Sequence, residues 1–193
     1  MKRWHVVFIA FSFFLAGFLI ADYIKEFKMP LCSYSASDNI IPIVNDNYFN
    51  LTFNAISHAN KSIDIILYEF KWYDSNNVVA KLRDALIKAH ENNVSVRIIL
   101  DQADYRDQET ELSKENKKTG NYLKSKGIEV KYDSLKTTTH DKMVVIDSKI
   151  VILGSHNWGY SALTNNNEAS ILIKDKEIAE YYQDYFDNLW KSC

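Results

Sequence analysis

Residues 140–147 read HDKMVVID and residues 154–157 read GSHN. Two apolar runs, 143–146 and 150–153, flank a short polar segment, which predicts a β-hairpin that turns at 147–149. Side chains alternate along a strand, so His140 and Lys142 are expected on the same face. The sequence therefore predicts that an imidazole and an ammonium group converge at the end of a strand.

Outside the hairpin, apolar strand-like runs alternate with amphipathic helical segments. Strands are predicted at 62–70, 94–100, 128–132 and 168–173, and helices at 47–60, 78–91 and 176–191, with a short helix near 122–123 after a polar segment at 102–119. This alternation predicts an α/β domain whose mixed, largely buried β-sheet is flanked by helices. No internal repeat is visible in the sequence.

The polar residues of the two motifs have separate expected roles. Asp147 has the opposite parity to His140, so we expect a structural role in bracing the turn through Asx-type bonds to backbone N–H groups. Gly154 permits a close backbone approach. Ser155 and Asn157, two positions apart, are expected to present hydrogen-bond donors on the same face. His156 lies between them, should point away, and is given no role.

Glu168 opens the next predicted strand and is expected to accept a hydrogen bond from His140, which would fix the tautomer of the imidazole. The combined pattern H-x-K-x4-D-x6-G-S-x-N, with this glutamate beyond it, resembles the signature of the phospholipase D superfamily. The element layout over residues 45–191 is also similar to that of the compact single-motif nucleases in that superfamily. The resemblance therefore implies a phospholipase D-like fold.

The resemblance implies a two-step displacement at phosphorus that needs no metal and no cofactor. His140 of one subunit would attack and form a phosphohistidine, and His140 of a second subunit would protonate the leaving oxygen. Lys142, Ser155 and Asn157 would neutralise charge on the phosphate oxygens. The motif occurs once, so a complete site implies a homodimer. A zinc site built from His140, Asp141 and His156 is conceivable, but the close spacing of typical zinc ligands is missing.

The sequence indicates the type of reaction more clearly than it indicates the substrate. Nucleic acid is the first expectation, because the short single-motif members resemble nucleases and no extra lipid-binding lobe is present. Whether cleavage is internal or terminal stays open. Phospholipid such as cardiolipin is the alternative. A membrane-tethered scaffold without turnover is a third reading, and the complete set of polar motif residues argues against it.

The N-terminal residues predict a membrane anchor. An uncharged run of sixteen residues, 6–21, becomes long enough for a spanning helix when its aromatic flanks extend it to 4–24. A cleaved signal peptide is the rival interpretation, although no A-x-A cleavage pattern is present. We therefore expect an anchor at 1–28, a linker at 29–46 and the phosphodiesterase domain at 47–193. Flanking positive charges are nearly balanced; the domain outside, with the amino terminus inside, is the expected orientation.

The amino-acid composition excludes few classes of function. The formal net charge of −2 gives no global reason to bind nucleic acid, although a local groove can still be basic. The two cysteines, Cys32 and Cys193, are either unrelated thiols or a disulfide between the ends of the domain. Aromatic residues at helical spacing within 181–190 are expected to serve core or dimer packing rather than base stacking.

Overall fold

The computed structural model describes residues 39–102 and 109–193. The strands of this part are β1 (Ile40–Val44), β2 (Ser62–Leu67), β3 (Ser95–Leu100), β4 (Glu129–Tyr132), β5 (Lys142–Ile146), β6 (Ile150–Gly154) and β7 (Ala169–Ile173). The helices are α1 (Asn47–Ser57), α2 (Val78–Glu91), α3 (Glu111–Ser125), α4 (Tyr160–Thr164) and α5 (Lys176–Ser192).

In the described part of the chain, the seven strands form one sheet in the order β1-β7-β6-β5-β2-β3-β4. The strands β2, β3 and β4 are parallel, and β5 is antiparallel to β2. The pairs β5–β6, β6–β7 and β7–β1 are antiparallel as well. The sheet is therefore mixed, as predicted, and the carboxyl ends of β2, β3, β4 and β6 share an edge with the amino ends of β5 and β7.

Helices cover the two faces of the sheet unequally. One face packs against α1, α2, α3 and α4, where Ile56, Leu82, Leu123 and Leu163 are buried in a single large cluster. On the other face, among the described residues, a smaller cluster forms around Phe186 of α5. Helix α5 packs on β2, β5 and β6. On the second face, α5 therefore covers three of the strands that the structure describes.

Local sequence signals explain where the helices begin. Asn77 accepts a hydrogen bond from the Ala80 amide at 2.9 Å and thereby caps α2. Asp175 caps α5 in the same way through the Ile178 amide, also at 2.9 Å. The predicted helix 78–91 is confirmed at both ends.

Three sequence predictions are wrong in detail. The predicted linker 29–46 contains the edge strand β1, in which Pro42 pairs with Ile171. Proline cannot donate a ladder hydrogen bond, so it interrupts a strand pattern but is tolerated on an edge strand. The short helix predicted near 122–123 is the end of the 15-residue helix α3, which begins within the polar segment 102–119. Helix α4 has five residues and was not predicted.

The predicted anchor at 1–28 and Cys32 lie outside the described residues. Within residues 39–102 and 109–193, no helix combines the length and the apolar character needed to cross a membrane. The Cys193 thiol is half-buried and lies 3.9 Å from Oδ1 of Asp133.

The hairpin turn is locked to the start of β2 by one carboxylate. Asp147 and Ser148 both have positive φ, 55° and 49°, as a tight hairpin turn requires. The Asp147 carboxylate accepts backbone N–H groups of Asn60 at 3.0 Å, Lys61 at 2.7 Å and Ser62 at 3.0 Å. Asp147 thus makes structural contacts, but with the segment before β2 rather than with its own turn as predicted.

Replacing Asp147 with alanine should destabilise the fold by about 2–3 kcal/mol at neutral pH, because three backbone donors lose a charged acceptor. Burial alone would raise the pKa of Asp147, but the hydrogen bonds from Ser62, Lys61 and Asn60 outweigh it and hold the pKa below its ordinary value. This stabilisation is therefore present above the unfolded-state pKa and lost as pH falls through the lowered folded-state pKa. Urea unfolding of the full chain as a function of pH measures both effects.

Asp46→Ala is the matched control, because the exposed Asp46 side chain makes no capping hydrogen bond at the start of α1. Equal stability losses for the two variants would contradict the role given to Asp147.

Candidate active site

The predicted site residues lie at one edge of the sheet. His140 precedes β5 and Lys142 is its first residue, whereas Ser155 and Asn157 follow β6. Glu168 directly precedes β7. Because β5 and β7 start where β6 ends, antiparallel pairing brings these segments together although up to 28 positions separate them in sequence.

His140 and Lys142 share the aromatic ring of Tyr68. The His140 side chain is exposed, and its ring centroid lies 4.5 Å from that of Tyr68. The Lys142 Nζ atom lies 4.8 Å from the centroid of the same ring and donates to the carbonyl oxygen of His140 at 2.5 Å. The predicted convergence of imidazole and ammonium is therefore supported by a tyrosine that sequence reasoning missed.

Lys142 is a buried cation surrounded by negative charge. The residue is only 7% exposed, and burial lowers the pKa of its ammonium group below the ordinary lysine value. Four carboxylates act in the opposite direction, those of Asp141, Glu168, Glu69 and Asp101. Their charges keep the buried ammonium ion favourable, so the site holds a positioned cation for an anionic ligand.

Glu168 has a different partner from the one predicted. Its carboxylate accepts hydrogen bonds from the Ser155 hydroxyl and, at 3.0 Å, from the Asn166 amide. Among the described residues, no hydrogen bond joins Glu168 to His140, so that predicted contact is wrong for the single chain. The Ser155 hydroxyl hydrogen is committed to Glu168, while its oxygen accepts the Ala169 N–H at 3.1 Å. Ser155 could donate to a phosphate only after this bond opens.

Asn157 keeps an unused polar group at the site. Its Oδ1 atom is buried and has no hydrogen-bond partner among the residues that the structure describes. Oxygen and nitrogen of a carboxamide exchange places by a simple flip, so either end can meet a ligand. A buried polar atom without a partner costs about 1–3 kcal/mol, which a bound ligand could recover.

The two remaining motif residues are structural. A Cβ atom on Gly154 would overlap Ser170 and the carbonyl oxygen of Ala169, so the close approach predicted for this glycine is confirmed. His156 is fully buried, stacks on Tyr48 at 4.3 Å and bonds the backbone oxygen of Asn45 at 2.9 Å. It points away from the site, as predicted.

Because His156 points into the core, it cannot join His140 and Asp141 in the zinc site considered from the sequence. Throughout residues 39–102 and 109–193, no three or more His, Cys, Asp or Glu side chains are arranged to hold a metal ion.

Two further supports of the site were not predicted from the sequence. Asn116 of α3 is buried and bonds the Phe70 amide and the carbonyl oxygens of Tyr68 and Asp101, each at 2.8 Å. Tyr185 of α5 donates to the Asp141 carboxylate at 2.7 Å. Neither residue belongs to a motif, and only the helical spacing of aromatic residues along α5 pointed to Tyr185.

Comparison with known proteins identifies the family. A family model described as "Cardiolipin synthase, PLD-like domain" matches residues 52–190. The chain belongs to the phospholipase D superfamily. Nuc from Salmonella typhimurium, described as a phospholipase D family member, has a crystal structure that matches with a TM-score of 0.65 at 25% identity. That match covers 79% of this chain and 95% of Nuc.

Curated superfamily relatives carry two kinds of name. A mitochondrial cardiolipin hydrolase of Chlamydomonas reinhardtii is 29% identical over 135 residues, which are 70% of this chain and 54% of that protein. A phospholipase D of Rickettsia prowazekii is 37% identical over 103 residues, which are 53% of this chain and 46% of that protein. The chain spans about half the length of these relatives.

Gly154→Ala should lower the free energy of unfolding by about 1–3 kcal/mol, because the added methyl group would displace Ser170 in β7. Urea unfolding of the full chain measures the loss. Asn167→Ala serves as the control, because Asn167 is exposed in the segment before β7. This variant should alter stability by less than about 0.5 kcal/mol. A Gly154→Ala variant as stable as this control would show that β6 and β7 are not closely packed there.

Proposed function

We propose that this protein is a metal-independent phosphodiesterase that works as a homodimer through a phosphohistidine intermediate. The observation that carries the proposal is that His140, Lys142 and Asn157, whose buried carboxamide oxygen has no partner among the described residues, lie at one edge of the sheet. These groups supply a nucleophile, a fixed positive charge and a hydrogen-bonding group within one half of a site.

The reaction proceeds in two displacements. An imidazole nitrogen of His140 attacks phosphorus, and the bond to the leaving oxygen breaks as His140 of the second subunit gives that oxygen a proton. Water then loses a proton to the second imidazole and attacks the phosphohistidine, which restores the first imidazole. Imidazole suits both proton transfers near neutral pH. Lys142 and Asn157 stabilise the charge that builds up on the non-bridging oxygens.

An open apolar surface beside the half-site supports the homodimer. On the sheet face covered by α5, the strands β1 and β7 extend beyond that helix. Val44 is 53% exposed there, Pro42 is exposed and Ile171 is half-buried. Tyr181 of α5, the helix on this face of the sheet, is 72% exposed. We call these four residues the open face. Apolar sheet faces pack on each other about 10 Å apart, so a second copy of the chain could cover the open face.

Nucleic acid is the proposed substrate. The cleft beside His140 is lined largely by hydroxyl and carboxyl groups, which suits the hydroxyl groups of a nucleoside better than acyl chains. Its volume is 460 Å³.

Phospholipid hydrolysis is the second candidate, and the names of the relatives favour it, since they include cardiolipin hydrolase and phospholipase D. The proposed anchor at 4–24 would hold the domain at a membrane, on the outer side in the expected orientation. A non-catalytic scaffold would have no need for a buried lysine next to an unsatisfied carboxamide.

The full-length chain should cleave single-stranded DNA or RNA in the presence of EDTA. The His140→Ala variant should lose activity by a factor on the order of 10³ or more, because it lacks the nucleophile. Gel analysis of labelled strands measures cleavage, and headgroup release from cardiolipin or phosphatidylcholine vesicles tests the second candidate in parallel.

His58→Ala is the matched control, because His58 is exposed at the end of α1 and bonds only a local carbonyl oxygen. An acid-labile phosphate adduct at His140, trapped in alkaline denaturant, identifies the intermediate. Cleavage by His140→Ala at the wild-type rate would rule out the proposed chemistry, and turnover of neither substrate class would favour the scaffold.

Subunit mixing tests the shared site. When wild type and His140→Ala exchange subunits freely at equal concentrations, only about one quarter of the dimers carry two copies of His140. Activity per wild-type chain should therefore fall by about half after mixing. Unchanged activity per wild-type chain would mean that one chain holds a complete site.

Charges on the open face should separate the subunits. Val44→Glu and Tyr181→Glu are expected to shift the full chain from dimer to monomer in density-matched detergent, because each would bury an unpaired carboxylate. Sedimentation equilibrium measures the change, and activity should recover at high protein concentration. Phe53→Glu, on α1 at 38% exposure, is the control that should stay dimeric. A dimer that survives both open-face changes must use another surface.

A further inference from the structure

The cleft beside His140 is distinct from the phosphate-binding groups. Hydroxyl side chains line much of it, those of Ser134, Thr137, Thr138 and Ser192. Two carboxylates, Asp133 and Asp141, line it as well. Among the described residues that line the cleft, none is a lysine or an arginine. The cleft therefore offers many hydrogen-bonding partners for hydroxyl groups and a negative potential that disfavours a second phosphate.

Asp141 is fixed in the wall of this cleft from two sides. Its carboxylate accepts the Tyr185 hydroxyl at 2.7 Å, and its carbonyl oxygen accepts the Tyr68 N–H at 2.9 Å. Burial, together with the hydrogen bond to Asp141 and the charge of Asp141, raises the pKa of Tyr185 to about 12. The phenol thus stays a hydrogen-bond donor over the whole physiological range, and the position of the carboxylate is held.

Asp133 supplies the second negative group from deeper in the cleft. The residue is buried and accepts the Thr139 hydroxyl, and Thr139 in turn donates its backbone N–H to Asp101 at 2.8 Å. The two carboxylates are held by different parts of the fold. Asp141 is held by Tyr185 of α5, whereas Asp133 lies in the segment after β4.

The direction of the reaction links the cleft to one part of the substrate. In an in-line displacement at phosphorus, the attacking and leaving atoms lie on opposite sides. The leaving oxygen must therefore lie next to the second copy of His140, which gives it a proton. The alcohol attached to that oxygen then extends into the cleft of the subunit that supplies the acid.

We propose that this cleft is the subsite for the departing alcohol and that Asp141, held by Tyr185, makes it selective for an alcohol without a second phosphate. The inference rests on the proposed phosphodiesterase function and names its substrate class more closely. For nucleic acid it means release of a terminal nucleoside with free hydroxyls. For a lipid it means release of an uncharged polyol headgroup.

Substrate pairs that differ by one phosphate test the subsite. Thymidylyl-thymidine is compared with the same dinucleotide carrying a 5′- or a 3′-terminal phosphate, and phosphatidylglycerol with phosphatidylglycerophosphate. For full-length wild type, we expect kcat/KM to fall about tenfold when the extra phosphate is on the departing side, because like charges would face each other across the cleft. Product analysis identifies which side departs.

Two variants separate the charge of Asp141 from its hydrogen bond. Asp141→Asn keeps an acceptor oxygen for Tyr185 but removes the charge, so the tenfold preference should shrink to about threefold or less. Tyr185→Phe breaks the hydrogen bond but keeps the charge, so the preference should persist while KM rises. A merely structural role for the pair would change both variants in the same way. Asp184→Asn, exposed on α5 next to Tyr185, is the control and should keep the wild-type preference.

The outcomes distinguish the two proposals. Hydrolysis of both members of a pair at equal rates by wild type, or an unchanged preference in Asp141→Asn, would overturn the subsite and leave the phosphodiesterase standing. If no diester of either class is hydrolysed, the proposed function itself fails, and the subsite falls with it.

Discussion

The Asp147 carboxylate is the contact on which the geometry of the site depends. By holding the amides of Asn60, Lys61 and Ser62, it fixes one end of β5 against the start of β2. The antiparallel register then follows residue by residue and places Lys142 opposite Leu67 at the other end. A slip of one position would turn every side chain of β5 to the opposite face. The motif aspartate thus acts on the chemistry from the far end of the strand.

Strand direction determines why distant residues meet. Parallel β2 and β3 end at the edge where antiparallel β5 begins, so Tyr68, Asp101 and His140 lie near one another. Asn116 joins the first two of these segments by bonding their carbonyl oxygens with one amide group. A buried carboxamide with all these bonds satisfied rigidifies the backbone around it. The edge that holds the candidate site is therefore supported by polar contacts, whereas the centre of the sheet is held by apolar packing.

The sequence predicted what periodicity and motif spacing encode, and little beyond them. The hairpin, α2 and the inward position of His156 follow from alternation and caps that are local in the chain. Strand β1 escaped prediction because Pro42 breaks the pattern and the strand exists through its pairing with β7. The hydrogen bonds of Glu168 depend on side-chain rotamers, and the Tyr185–Asp141 bond joins elements that are far apart in sequence. The spacing of motif residues predicts neither. Motif residues were thus found more readily than the residues that position them.

Two buried polar groups in the half-site lower the stability of the chain when no ligand is bound. Burying Lys142 removes its ammonium from water, and the nearby carboxylates compensate only by surrounding it with negative charge. Asn157 adds a buried carboxamide oxygen that has no partner among the residues the structure describes. A phosphodiester would offset both costs, since its oxygens can accept from the ammonium and, once the carboxamide flips, from the amide nitrogen of Asn157. Ligand binding to the folded state alone should then stabilise the fold, so the most strained part of this edge is also where phosphate is expected to bind.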